Sequence, residues 1–399
     1  MPDFSLSPEI RELRAKTKAF MDEHIYPNES VFHEGSPEQA VAVMKDLQAR
    51  TKAMGMWAMF IGPEAGGTGK GFLPYAYVNE ILGRSPIAPR AFGCAAPDTG
   101  NAEILHQFGT QEQKDRYLKP LVAGEIRSCF SMTEPEVSGA DPTSLQTRAV
   151  RDGDDWVITG HKWFTSGAQG ATFAIVMAVS DPDAEPHRRM SQIIVPLDTT
   201  GVTIVRPVPV MGETRGSHCE IRYEDARVPV TNVLGEPGDG FRIAQKRLGP
   251  GRIHHCMRWL GQMQRAFELL CQRALSRQVG GEPLASKQTV QNWIADSVAD
   301  IQACRLLTMH AADKIDRGDE ARVEISLIKF WGATALHNVI DRAIQVHGAM
   351  GVSEDTPLAQ MYRDARAARI YDGPDEVHRM VVARRILREF KNGGAWEFE

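Results

Sequence analysis

Along the first third of the chain, apolar residues recur every three to four positions, the spacing that lines one face of a helix. Ser7 followed by Pro8 and Glu9 reads as an N-cap with proline at the first helical position. Ile10, Leu13, Thr17, Phe20 and Met21 continue the stripe until Pro27, which is expected to end the run. The same spacing predicts helices over 37–54, 74–82, 99–108 and 110–121. From about Ser128 the period changes. Short runs rich in Val, Ile, Thr and Trp, at 156–158, 173–179, 192–195, 202–208 and 219–223, read as strands, with turns at Asp152-Gly153 and 183–186. No long helix intervenes, so an antiparallel barrel or sandwich is expected over a parallel sheet. After 235–240 the helical spacing returns at 241–248, 252–277, 286–317 and 323–347, with Ile294, Val298, Ile301 and Leu306 at spacings of three to five and short linkers between runs. That is the pattern of a helical bundle. The chain therefore reads as α+β in the order helix, sheet, helix: an N-terminal helical domain 1–127, a central antiparallel β domain 128–238 and a C-terminal helical domain 239–399, without internal repeats.

Composition narrows the classes of function. At 399 residues the chain predicts about two or three domains with ample apolar content for their cores. A formal net charge of -5 with interspersed signs argues against a nucleic-acid binder driven by phosphate attraction. The six cysteines, Cys94, Cys129, Cys219, Cys256, Cys271 and Cys304, form no CxxC pair, so reduced core thiols are expected and no metal site. No leader-like apolar segment opens the chain, no window is long enough to cross a bilayer, and GGAWEFE is no peroxisomal or retention signal. A cytoplasmic protein without membrane insertion is expected. The glycine-rich stretch IGPEAGGTGKG fails as a phosphate loop, because Gly71 stands where a hydroxyl is required and Glu64 where the first glycine belongs; it reads as a flexible connector.

No GxGxxG after a strand, no HExxH and no GxSxG is found, so chemistry must come from elsewhere. Two segments of the β region stand out. CFSMTEPEVSGA, 129–140, carries hydroxyls at Ser131, Thr133 and Ser138; KWFTSGA, 162–168, sets two aromatic faces beside a threonine. Stacking faces with nearby donors suit a flat heteroaromatic ring, although Trp163-Phe164 taken alone reads more readily as sandwich core. Near the end, ARAARIYDGPDEVHRMVVARR has a helical run over 361–370, a break at Asp372-Gly373-Pro374 and a restart at Asp375. This places a carboxylate at a helix-to-helix corner. The plainer alternative is a helix stop with Asp375 capping the next helix.

MTEPEVSGAD, GHKWFTSGA, FGTQEQKDRYLKPLVAGE, IQVHGAMG and IYDGPDEVHRMVVARRILRE, in this order, resemble the acyl-CoA dehydrogenase family over essentially the whole chain; LGPGRIHHCMR and DGPDEVH resemble its subgroup of vertebrate members ten and eleven. The resemblance implies an N-terminal helical domain, a central β domain and a C-terminal four-helix bundle, FAD as cofactor, an acyl-CoA substrate, an electron-transferring flavoprotein as acceptor, and at least a homodimer, with homotetramer open. Carried over by position, Phe130, Ser131, Met132, Thr133, Ser138 and Ala140 match the first flavin-contacting loop. Trp163, Phe164 and Thr165 match the second, the threonine hydroxyl facing flavin N5. Arg277, Gln288, Gln345, His347, Gly348 and Ala349 match positions that reach the FAD of a neighbouring subunit; Pro374 and Glu376 match a segment over its adenosine side. Without the family pattern, Arg277 reads as a surface charge and Gln345 as a helix-terminal cap. Leu248, Arg252, Tyr371 and Gly373 match acyl-CoA contacts, and Ala140 stands where many members have serine.

Asp372 falls where most members place a catalytic glutamate, and Gly251 occupies the alternative base position. The resemblance thus makes Asp372 the base that takes the α proton of a thioester while the flavin takes the β hydride. Two rivals remain: a flavin oxidase of the same fold, including the nitroalkane oxidases that use aspartate, and a flavoprotein that binds partners without turnover.

Overall fold

A computed structural model of the protein describes residues 6–211 and 218–396; the terminal stretches 1–5 and 397–399 lie outside them. The chain divides into two compact units, one of residues 1–54, 70–92 and 252–399, the other of 55–69 and 93–251.

The first unit is helical. Ser7 caps Pro8–Phe20 as expected, its hydroxyl accepting from Ile10 N, and Ser36 and Gln39 close a capping box on Pro37–Ala53. Pro27 does not end the first run. It sits at the start of the tight turn Tyr26–Asn28, where its missing N–H is no loss, and Glu29–Glu34 continues as helix. Phe72–Leu82 packs on Pro8–Phe20 and on Gln288–Asp316, which pairs with Arg322–His347; that helix in turn carries Leu358–Ala367 and Asp375–Lys391. Leu260, Met263, Leu336, Val339 and Ile340 are all buried, each contributing about 1.5–3 kcal/mol of transfer energy. Two glycines fix one close crossing: a Cβ on Gly83 would lie 2.2 Å from Arg258 O, and one on Gly261 2.1 Å from Glu80 O. Ion pairs surround it, Arg84 with Glu268 and Arg305 with Glu80. The two helices expected at 241–248 and 252–277 are one, Gly240–Ser276, with Pro250 inside. The helix forgoes one N–H bond there, and a Cβ on the flanking Gly249 or Gly251 would meet nothing within 4 Å.

The second unit is built on a seven-stranded sheet ordered β1 (Ser128–Ser131), β4 (Phe173–Val179), β2 (Arg148–Asp152), β3 (Asp155–Ser166), β7 (His218–Pro229), β6 (Val202–Pro207), with β5 (Met190–Pro196) also on β4. It is mixed and not wholly antiparallel: β1 and β2 each run parallel to β4, and the other pairs are antiparallel. β4 explains its own unbroken apolar run, because both its faces are covered. Phe173 and Ile175 pack against Ile104, Leu105, Tyr117 and Leu118 of the flanking helical segments. Ala174 and Val176 pack with Ile158, Ile221 and Tyr223 of the sheet. The glycine-rich loop is no loose connector: Gly67 N donates to Gly62 O, Gly69 N to Ile61 O and Thr68 Oγ1 to Trp57 O, and a Cβ on Gly67 would sit 2.1 Å from Ile61 O. All six cysteines are free, five of them buried. Among the described residues, no helix is long and apolar enough to cross a membrane.

Candidate functional site

In the helical unit, the chemistry gathers at the corner between Leu358–Ala367 and Asp375–Lys391. Asp372 and Gly373 both have positive φ, 54° and 99°, and Pro374 then sets the entry to the next helix. Aspartate is among the few non-glycine residues that tolerate this region. At Gly373 a side chain would meet His378, its Cβ 2.9 Å from Nε2. The backbone of the corner is clamped from three elements. Arg252 Nε donates to Asp372 O at 2.8 Å, and His378 Nε2 reaches the same carbonyl at 3.1 Å. Lys329 Nζ, fully buried, donates to Ala368 O at 2.7 Å and to Gly373 O at 3.3 Å. Asp375 does not cap the helix with its side chain; its carboxylate accepts from Arg369 Nε at 2.6 Å, and Pro374 is the capping residue.

The Asp372 side chain is held from within the protein. Its Oδ2 lies 3.3 Å from His255 Nε2, with the two side chains 23% and 22% exposed, so the acid faces neither bulk water nor a sealed core. Tyr371 stacks obliquely on His255, ring centroids 4.6 Å apart, and its hydroxyl accepts from Trp259 Nε1 at 2.9 Å. Lys329 lies over both the Trp259 and Tyr371 rings. Burial pushes the Lys329 ammonium and the Arg252 guanidinium below their ordinary pKa values, and the charge of Asp372 opposes both shifts. Burial also lowers His255, against its hydrogen bond to Asp372, and brings His378 down to about 4. At neutral pH both imidazoles are therefore uncharged, and the cations near the carboxylate are Arg252 and Lys329.

The structure thus brings Asp372, Arg252, Tyr371, Gly373 and Pro374 to one corner, with exposed Glu376 one turn on. His255, His378, Trp259, Arg258 and Lys329 were not singled out from the sequence. The doubled histidine in LGPGRIHHCMR and a lone lysine inside the apolar run around Ile328 were the available signals. Arg277 and Gln288 are exposed at the two ends of the short hairpin 278–287, Leu284 N donating to Arg277 O and Gln288 Nε2 to Asn292. Gln345, Gly348 and Ala349 are exposed at the end of Arg322–His347, whereas His347 is buried and bonded through Nδ1 to Ala343 O.

In the sheet unit, the two segments expected to meet a flat ring lie side by side. The β3–β7 register shifts between Lys162 and Thr165, which takes Trp163 and Phe164 out of the ladder, Phe164 at a φ of 49°. Phe164 is 39% exposed and Trp163 partly so; these are not sandwich core. Trp163 N donates to Thr133 O at 3.0 Å, tying the two segments together. Beneath them, Lys162 Nζ donates to Met132 O at 2.7 Å and to Glu134 Oε1 at 2.9 Å; Glu134 also accepts from Gln146 N and Thr147 N. Thr165 is buried with its hydroxyl 3.3 Å from Ser131 Oγ, which accepts from Tyr223 OH at 3.0 Å. Phe130 lies under the Arg247 guanidinium, 4.0 Å away. Ser138 Oγ accepts from Ala140 N, both residues exposed, and Leu248 is half-buried on Gly240–Ser276. The exposed aromatic surface at the bulge is backed by a buried, hydrogen-bonded layer of Lys162, Glu134, Thr165 and Ser131.

Three family models match in sequence: acyl-CoA dehydrogenase, N-terminal domain, over 7–125; middle domain, over 129–226; and C-terminal domain, over 238–387. FadE2 of Mycobacterium tuberculosis, named as a probable acyl-CoA dehydrogenase, is 47% identical over 98% of each chain. Acyl-CoA dehydrogenase family member 11 of Gallus gallus is 44% identical over 96% of this chain, which spans only 51% of that relative's length. The structure of butyryl-CoA dehydrogenase from Megasphaera elsdenii superposes with a TM-score of 0.86 at 29% identity, covering 97% of this chain and all of that one.

Proposed function

The chain belongs to the acyl-CoA dehydrogenase family, an oxidoreductase family with FAD as cofactor, and from this premise we propose that it oxidises an acyl-CoA thioester to the trans-2-enoyl-CoA, passing electrons to an electron-transferring flavoprotein. The observation that carries the proposal is Asp372: a half-buried carboxylate on a clamped, positive-φ corner. The aromatic surface of Trp163 and Phe164 fits a planar ring, with Thr165 and Ser131 behind it and Phe130, Met132, Thr133, Ser138 and Ala140 on the adjoining strand and loop. When bound there, FAD supplies the acceptor for a hydride from the β carbon. Asp372 takes the α proton. Gly373 N–H is assigned to the thioester oxygen, so that charge developing on it meets a fixed donor. Arg252, Tyr371 and Leu248 are assigned to the acyl-CoA, and Arg277, Gln288, Gln345, His347, Gly348, Ala349, Pro374 and Glu376 to FAD, several of them across a homodimer or homotetramer interface. The three matched segments support boundaries at 127/128 and 238/239. A cytoplasmic location goes with this reading.

Anaerobic titration with a panel of acyl-CoA thioesters tests the reading: the flavin absorbance should bleach with at least one, and reoxidise slowly in air. Fast reoxidation would instead make it an oxidase. Asp372→Asn should stay yellow and lose bleaching. An Asn variant that still bleaches at the native rate would remove Asp372 from the chemistry.

A further inference from the structure

The Asp372 carboxylate has a built partner that the proposed reaction does not assign. His255 Nδ1 lies 3.1 Å from Arg258 Nη2. A guanidinium only donates, so Nδ1 must be the accepting nitrogen and the imidazole proton must sit on Nε2. That nitrogen is the one 3.3 Å from Asp372 Oδ2. We propose that Arg258 locks His255 in the Nε2–H tautomer, and that His255 is a positioning residue which donates to Asp372, holding the carboxylate ionised and its second oxygen turned to the substrate. The inference rests on the reading of Asp372 as base.

Arg252 and His378 engage the Asp372 carbonyl, and Lys329 engages Ala368 O and Gly373 O. Burial raises the Tyr371 hydroxyl, which stays neutral, and holds His254 well below its ordinary value. Burial likewise keeps His255 below its own ordinary value, against its hydrogen bond to Asp372 and with Arg258 adding to the lowering. Its ring packs against Tyr371 and Trp259, which also lie against each other. A donor at fixed distance favours the charged form of a carboxylate.

The test is the pH dependence of flavin reduction by acyl-CoA in stopped flow, on the holoenzyme. His255→Phe removes the donor and His255→Asn shortens it out of reach; His255→Gln keeps an N–H near the Nε2 position. The Phe and Asn variants should move the acid limb up by about one pH unit or more, the loss of one hydrogen bond to a charge. The Gln variant should restore it towards the native position, and flavin content should be unchanged throughout. A slower reduction with an unmoved acid limb in both Phe and Asn would mean that His255 only packs, and would overturn the proposal while leaving Asp372 as base. Asp372→Asn retaining reduction would sink the underlying reading instead.

Discussion

Glu134→Gln is the substitution whose consequence the structure lets us follow furthest. Glu134 and Lys162 are 2% and 0% exposed, so the pair is desolvated on both sides, and it joins the Met132–Thr133 segment to β3 directly beneath Trp163. Removing one partner of a buried pair costs about 3–5 kcal/mol, because the other charge is left without compensation. The ammonium can escape by losing its proton. Burial already brings Lys162 down to about 8 from 10.5, and the attraction of Glu134 is what keeps it from falling further. In the variant its folded pKa must drop. A folded pKa below the unfolded one means that the unfolded chain binds more protons between the two, so stability rises with pH across that window. The variant enters its window below pH 8, whereas the native protein enters near 8. The penalty should therefore be larger at pH 7 than at pH 9, where Lys162 is mostly neutral in both folded proteins. Below the ordinary carboxylate range it should shrink again, since the lowered pKa of Glu134 contributes stability only above that range. Urea midpoints at pH 7 and 9 measure this, with amide exchange in β1 and β3 as the local readout. The double variant Glu134→Gln/Lys162→Met should recover most of the loss. A penalty within about 0.5 kcal/mol of zero, or one equal at both pH values, would refute the account.

Two further outcomes follow from backbone geometry. Gly373→Ala forces a side chain to a φ of 99° with its Cβ 2.9 Å from His378 Nε2; a loss of about 1–3 kcal/mol and a collapse of flavin reduction are expected, and a native thermal midpoint would contradict this. Gly83→Ala and Gly261→Ala each drive a Cβ to 2.2 Å or less from a backbone oxygen across the crossing, so both should give insoluble protein on expression; a soluble variant with native circular dichroism would show that the helices can part there.

The sequence disclosed elements whose burial is regular and local. β4 was read to the residue because every position in it is apolar, and Gln288–Asp316 and Arg322–His347 to within about two residues by their stripes. β2 was missed: of Arg148–Asp152 only Ala149 is buried, so its alternation leaves almost no hydrophobic trace. Pro27, expected to end a run, lies where the helical path forgoes an N–H without ending, and Pro250 sits inside a continuous helix in the gap between two expected ones. At the site, Asp372 was visible because Gly373 and Pro374 punctuate the chain beside it. The groups around it were not, because His255 and Lys329 come from helices far off in the sequence and His378 from the first turns of the next helix, and nothing in local spacing encodes which side chains meet.

The left-handed dihedral at Asp372 filters residue choice twice over. Glycine and asparagine keep the bend but bring no acid; glutamate brings an acid on a longer stem to a dihedral it rarely adopts, towards an imidazole already 3.3 Å from the shorter one. A saturation library at this codon would therefore confound shape with charge at nearly every replacement. Asparagine subtracts the charge while sparing both the bend and the size of the side chain, which makes it the swap whose kinetics speak to chemistry and not to architecture.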